Sequence, residues 1–265
     1  MNVMMVSDEE YQKHTVFADL EQYAAFYEHL AMSVFGFVSL GTRAICNIDS
    51  YVFSSIQGTL ASIHAILRDG RISDAYALLR KYYDSAIINI YTGLYLEENF
   101  SIENFIVTQI DKWLRGRDRL PEFRIMSQYI RRSQRVAPIT DLLFLDDRYK
   151  RLRERCNDHT HYNFYQNVLL NDKDIFLEKR RQALEEFSND LRDVLMLHLA
   201  YMFFANNHYM MSSDYVDCLE CGMPPEPDSQ YWVAPFVQRI FDQTIKNSRP
   251  DLAAMIKQHS SMHLE

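Results

Sequence analysis

The stretch Arg151–Asn163, RLRERCNDHTHYN, sets Arg151, Arg153 and Arg155 on alternate positions, then His159 and His161 on alternate positions, with Asn157 and Asp158 between. These residue types suit the cleavage of RNA without a metal ion. That reaction needs a base for the 2′-OH proton, an acid for the leaving oxygen and a cation for the five-coordinate phosphate. Histidine titrates near neutrality and serves either protonation role. Arginine presents a rigid fork to phosphate oxygens. Two registers are open, because Arg153 to His159 and Arg155 to His161 each enclose five residues. In one, Arg155 holds phosphate, His161 acts as acid or base and Asn157 assists; in the other, Arg153 and His159 take those roles. The same stretch also reads as a helix end, where histidine favours the last carbonyls and Asn-Asp suits a turn.

Upstream, DKWLRGRDRLPEFRIMSQYIRRSQR interleaves basic residues with Trp113, Phe123 and Tyr129. Such a pattern suits a surface that tracks a nucleic-acid backbone and stacks bases, and it also suits a solvated helix face. Arg131, Arg132, Arg135 and Arg151 are the RNA-binding candidates. From Asp111 to Arg155 there are 13 Lys and Arg against 7 Asp and Glu, a net of +6, whereas the whole chain carries −8. The overall charge argues against indiscriminate nucleic-acid binding, and the basic middle stands out from an acidic remainder.

Cys218 and Cys221, in CLECG, have the spacing of half a zinc knuckle, but no second pair exists. Cys156, His159 and His161 would complete four ligands only by folding back. The expectation is therefore no metal and no cofactor, with Cys218 and Cys221 in a loop before Pro224, Pro225 and Pro227, and with Cys46 and Cys156 as reduced thiols. The opening MNVMMVSDEE lacks the basic start of a signal peptide. The most apolar run, Val194–Ala205, is shorter than a membrane span and carries His198. These features point to a cytoplasmic protein without a membrane partner.

The elements that must position these groups are helical. The 265 residues include only 7 Gly and 7 Pro, and no stretch alternates with period two. Apolar spacing predicts helices over about 19–38, 51–68 and 73–96, the last capped by Ser73. Gly70 suits the left-handed position that ends the second. The second and third, joined by a short link, form an antiparallel hairpin. Shorter helices follow in 101–116 and 122–135, the latter broken by Pro138, then one from Asp141 fraying near Asn157. The longest is expected over 173–210. Its seam of Leu184, Phe187, Leu191, Val194, His198 and Tyr201 follows a heptad pattern, and part of it, or the aromatic first helix, should meet a second copy. A proline-rich loop and helices near 234–246 and 249–258 close the chain.

With its Arg–x5–His motif before a long C-terminal helix, and a long hairpin with ALLRKYYDSAIINIY on its second arm, the chain resembles the HEPN superfamily. Its ribonuclease members carry Arg, four to six residues, then His, and pair two motifs across a dimer. A polar residue tends to follow the Arg; here Cys156 does, with Asn157 one position later. The resemblance covers about 51–210. It implies an all-α, HEPN-like helical bundle (1–211) with a small C-terminal helical appendage (212–265) packed on it. It further implies a homodimer and a metal-independent endoribonuclease of toxin or host-defence type. Its partners would be RNA and an antitoxin or regulatory protein. The alternative it implies is a non-catalytic dimerisation or partner-binding module.

Overall fold

The computed structural model describes residues 4–37, 39–45 and 47–265, so Cys46 and the expected end of the first helix at Val38 lie outside the described residues. The fold is all-α. The helices are α1 (Glu9–Gln12), α2 (Thr15–Phe35), α3 (Thr42–Ile45), α4 (Ile48–Arg68), α5 (Ile72–Asn99), α6 (Thr108–Leu114) and α7 (Phe123–Arg132). They continue with α8 (Ala137–Leu143), α9 (Arg148–Thr160), α10 (Tyr165–Leu169), α11 (Arg180–Ala205), α12 (Asp214–Glu220), α13 (Pro235–Ile240) and α14 (Pro250–His259). Extended pairing among the described residues is confined to isolated bridges, such as Met4 with Leu177. No helix among the described residues is long and apolar enough to cross a membrane.

The chain divides into two compact units. One comprises the chain up to Glu28 with Phe53–Ala86 and Asp146–Leu195; the other comprises His29–Val52, Ile87–Leu145 and Met196–Glu265.

In the first unit, α4 stops as expected at Gly70, whose φ is +81°. The Gly70 amide donates to the Leu67 carbonyl (2.9 Å) and the Arg71 amide to the Ile66 carbonyl (3.2 Å), the two bonds of a Schellman motif. Ser73 does not cap α5, which starts at Ile72. Instead Asn171, far along the chain, places its Oδ1 on the amides of Ser73 (2.9 Å) and Asp74 (3.2 Å). A remote cap satisfies the orphan donors and leaves the Ser73 hydroxyl for other partners. The core gathers Tyr11, Phe53, Leu60, Leu79, Leu152, Leu184 and Phe187. The Tyr27 and Tyr82 hydroxyls, both buried, meet each other at 2.9 Å.

Helix α11 is shorter than the expected 173–210, because Arg180 draws the preceding chain into a turn: its Nη2 donates to the carbonyls of Asp172 (2.6 Å) and Ile175 (3.2 Å). At 28 residues α5, not α11 at 26, is the longer helix. The seam residues Leu184, Phe187, Leu191, Val194, His198 and Tyr201 are all buried within the chain. They leave no stripe for a second copy.

In the second unit, His198 Nε2 donates to Asn89 Oδ1 (2.9 Å), and Asn89 Nδ2 donates to Asp49 Oδ1 (2.8 Å). The Tyr209 hydroxyl donates to the other Asp49 oxygen. His198 is thus a hydrogen-bonded core residue, and burial lowers its pKa to about 3. Residues 101–107 precede α6 rather than joining it, with the Asn104 amide turned onto Ser101 Oγ (3.0 Å). Pro138 begins α8 instead of breaking a helix, in keeping with its fixed φ at a first turn. CLECG is a helix end rather than a loop: Gly222 has φ +67°, and the amides of Gly222 and Met223 close a Schellman motif on Leu219 and Cys218. Gly222 therefore meets a capping requirement. Helix α13 runs on through a π-helical turn, Phe241–Lys246, and α14 packs on that turn and on α8.

Gly70→Ala tests the hairpin turn. A Cβ there would strike the Val6 side chain and would hold an L-residue in the left-handed region. Urea unfolding should show a loss of at least about 1–2 kcal/mol, read as a lower midpoint with unchanged slope.

Candidate functional site

Helix α9 carries the opening motif, and it starts later and ends later than expected. The Arg148 amide turns onto Asp146 Oδ1 (2.9 Å), separating α9 from α8, and the helix then continues through Asn157 to Thr160. Its end is again a Schellman motif, with amides of Tyr162 and Asn163 on the carbonyls of His159 and Asp158. The left-handed position is held not by glycine but by Tyr162, φ +50°. Asn171 Nδ2 donates to the Tyr162 hydroxyl (2.9 Å) and to Asp74 Oδ1 (2.8 Å). The residue that caps α5 thus also fastens the end of α9.

Helix α9 lies antiparallel to the first half of α5. Arg153 Nη1 donates to Asp84 Oδ1 (2.7 Å), Arg80 donates to Asn157 Oδ1, and His159 stacks on Tyr76 with ring centroids 4.1 Å apart and planes 11° apart. Partner numbers fall on α5 as they rise on α9.

This packing sorts the polar residues of α9 into two sets. One set points inward with Leu152: Arg155, Cys156 and His159, at the spacing of a helix's buried stripe. Arg155 forks onto Asp190 of α11, with Nε on Oδ2 at 2.7 Å and Nη2 on Oδ1. Asp190 is 1% exposed and also accepts the Tyr76 hydroxyl at 3.3 Å. Burial pushes the Asp190 carboxyl up while Arg155 pulls it down; the carboxylate in turn holds Arg155 firmly protonated. The Ser73 hydroxyl donates to the Asn167 carbonyl (2.6 Å). The contact of Ser73 Oγ with His159 Nδ1 (2.9 Å) then requires Nδ1 to donate, which fixes the tautomer. Burial lowers His159 to about 4 and pushes the Cys156 thiol up to about 12. The thiol is therefore inert at neutral pH.

The other set is Arg153, Asn157 and His161, successively four residues apart. Arg153 and Asn157 are half-buried and His161 is exposed. Arg155 and His161, expected to work together, thus belong to different faces, and so do Arg153 and His159.

The RNA-binding candidates are divided between the two units. Arg151 is an exposed residue of the first unit. In the second unit, Arg131 lies over the Phe144 ring at 3.6 Å. Arg132 and Arg135 share a groove of about 780 Å³ with Glu97 and Glu98. Arg135 pairs with Glu97 and donates through Nε to the Phe204 carbonyl (2.9 Å).

Ser73, Tyr76, Arg80, Asp84 and Asp190 were not among the sequence candidates. Asp190 did carry a signal. The series Arg180, Ala183, Phe187, Asp190, Val194 follows core spacing, so Asp190 is a charge in a buried phase and needs a cationic partner.

Among the described residues no group of three or more His, Cys, Asp or Glu side chains is placed to hold a metal ion. The chain matches no protein-family model, no curated protein and no solved structure.

Two tests follow from the buried set. Arg155→Met strands the Asp190 carboxylate, and loss of one partner of a buried pair typically costs about 3–5 kcal/mol. The double variant Arg155→Met/Asp190→Leu should recover much of that loss in urea unfolding. His159 has a folded-state pKa below its unfolded value of about 6.5, so between about pH 6.5 and 4 the unfolded chain binds the extra proton. The His159 contribution to stability is full above about pH 6.5 and is lost as pH falls toward 4. His159→Gln should flatten the stability-against-pH curve across that window; an unchanged slope contradicts the assignment.

Proposed function

We propose that this chain cleaves RNA without a metal ion, using the open strip of Arg80, Asn157 and His161, and that Arg155 and His159 serve the fold. The carrying observation is the sorting of α9. The Arg155 fork is closed on a buried carboxylate, whereas Arg80 and Asn157 meet at a half-buried position with exposed His161 one turn further on. In this reading Arg80 holds the phosphate, Asn157 orients Arg80, and His161 moves the proton. The resemblance to HEPN ribonucleases supports the chemistry, with Arg80 taking the cation's place from Arg155. One strip supplies one histidine, and pairing with a second copy supplies the second acid–base group. An antitoxin or regulatory protein would act by covering the strip.

A specific observation favours the second reading, a partner-binding module. Beyond the motif, Phe164, Tyr165 and Phe176 are 60%, 75% and 72% exposed, more large apolar surface on one stretch than scattered exposure accounts for.

Purified protein incubated with mixed RNA in EDTA should give products ending in a cyclic phosphate. His161→Ala and Arg80→Ala should each lower the rate by about 10²–10⁴ with the melting temperature kept, while His159→Gln retains cleavage. An inactive wild type, or full activity in His161→Ala, removes the enzyme reading. Pull-down with Phe164→Ser/Tyr165→Ser as control then tests the module.

A further inference from the structure

The two cysteines of CLECG sit in the last turn of α12 and at its cap. Cys221 follows Cys218 by three residues on a backbone that is still helical: its amide donates to the Asp217 carbonyl (3.0 Å), and its φ and ψ are −80° and 0°. Side chains at this spacing share a face, with Cβ atoms about 5–6 Å apart.

The end of the helix brings in a third sulfur. The chain reverses at Gly222, φ +67°, and the Met223 amide returns to the Cys218 carbonyl at 2.8 Å. In a Schellman motif the residue after the glycine and the third-last residue of the helix are the pair whose side chains meet. Here that pair is Met223 and Cys218, a thioether and a thiol. Methionine has the rotational freedom to turn its sulfur toward a ligand.

All three residues reach the surface. Cys221 is exposed, Cys218 is half-buried and Met223 is 54% exposed. Cys156, by contrast, is sealed in the other unit with its thiol pushed up to about 12. Helix α12 buries none of its residues, so the core places no demand on these side chains. The helix carries Asp214, Asp217 and Glu220 and no basic residue. Its C-terminal end also presents backbone carbonyls. Both features favour a cation.

The donor set selects the ion. Two thiols and a thioether are soft ligands, the kind that suits Cu(I). Structural zinc takes four nitrogen or sulfur ligands, and among the described residues no group of three His, Cys, Asp or Glu is placed to hold a metal. A disulfide is served no better, because it needs Cβ atoms about 3.5–4.5 Å apart, closer than a helical turn holds them. An ion between the two thiolates spans the wider gap with two bonds of about 2.3 Å each.

We propose that Cys218, Cys221 and Met223 bind one cuprous ion, the cysteines as thiolates and Met223 through its thioether. Each thiol releases its proton to solvent as the ion binds, and no electron is transferred.

The test titrates the freshly reduced full chain with Cu(I) under nitrogen, with bathocuproine disulfonate as competing chelator. The protein should withdraw one equivalent of copper. Loss of a group that merely orients a ligand costs about 10–100-fold in metal affinity. Cys218→Ser and Cys221→Ser each remove a ligand and should cost at least about 100-fold, and Met223→Leu, which keeps the bulk and loses the sulfur, about 10-fold or more. Leu219→Ser, at an exposed neighbour, should bind like the wild type. All four variants should keep the wild-type melting temperature, since α12 buries no residue, so a lost affinity reports ligation rather than unfolding. Zn(II) titrated against a chromogenic chelator should not be retained. No copper withdrawn from the chelator, retention undiminished in Cys221→Ser, a Met223→Leu chain that holds copper like the wild type, or zinc held as firmly as copper overturns the proposal.

Discussion

The fork between Arg155 and Asp190 is the constraint on which the first unit's polar architecture depends. A carboxylate at a core position of α11 is tolerable only with a cation fixed against it and its remaining lone pairs occupied. Arg155 supplies the cation through two parallel bonds, and Tyr76 adds a hydroxyl. Satisfying all three at once sets the rotation of α9 about its axis and its height along α5. The other contacts follow from that setting. Tyr76, held by Asp190, offers its face to His159, and the other side of α9 is left to pair Arg153 with Asp84 and Asn157 with Arg80.

Helix ends give a second layer of order. Gly70 and Gly222 take the left-handed cap position at no steric cost. Tyr162 takes it with a Cβ, at a cost of about 1–2 kcal/mol, and persists because Asn171 grips its hydroxyl. Asn171 also caps α5 and binds Asp74. One amide side chain therefore ties the start of α5, the end of α9 and the strained residue after His161 into a single fastening. Strain of this kind is sustained where surrounding contacts over-determine the backbone. Here it fixes the chain next to the exposed histidine.

Much of the helical frame was legible in the residues. The 3–4 spacing of α4 and α5, the Gly70 stop and the heptad seam of α11 all report local burial or local backbone geometry, and periodicity reads both directly. The seam's covering was not legible, because an apolar stripe does not state whether its partner lies in the same chain. Nor was the α5 cap: Ser73 has the right chemistry, but Asn171, remote in sequence, outcompeted it. Arg155 and His161 were paired by their distance along the chain, whereas a helix separates residues six apart onto different faces. CLECG was expected in a loop because its glycine and the prolines after it both suit a turn, whereas the glycine's positive φ ends a helix that carries both cysteine positions up to its cap.

The site's chemistry turns on burial more than on residue identity. His159 and His161 are two residues apart and of the same type, yet packing gives them opposite capacities. His159 has Nδ1 donating to Ser73, its face on Tyr76 and a pKa lowered to about 4 by burial. At neutral pH it holds one proton already committed to a hydrogen bond, so it cannot act as a general acid, and its buried ring would have to be charged to act as a base. His161 caps the helix in the open. The same division separates Arg155 from Arg80. A guanidinium closed on a buried carboxylate would have to break that pair to take a phosphate, stranding Asp190. Arg80 would exchange a single amide contact for phosphate oxygens, a smaller loss against a stronger, charge-assisted bond. The fold thus commits Arg155 and His159 to its own interior contacts and leaves Arg80, Asn157 and His161 outside them.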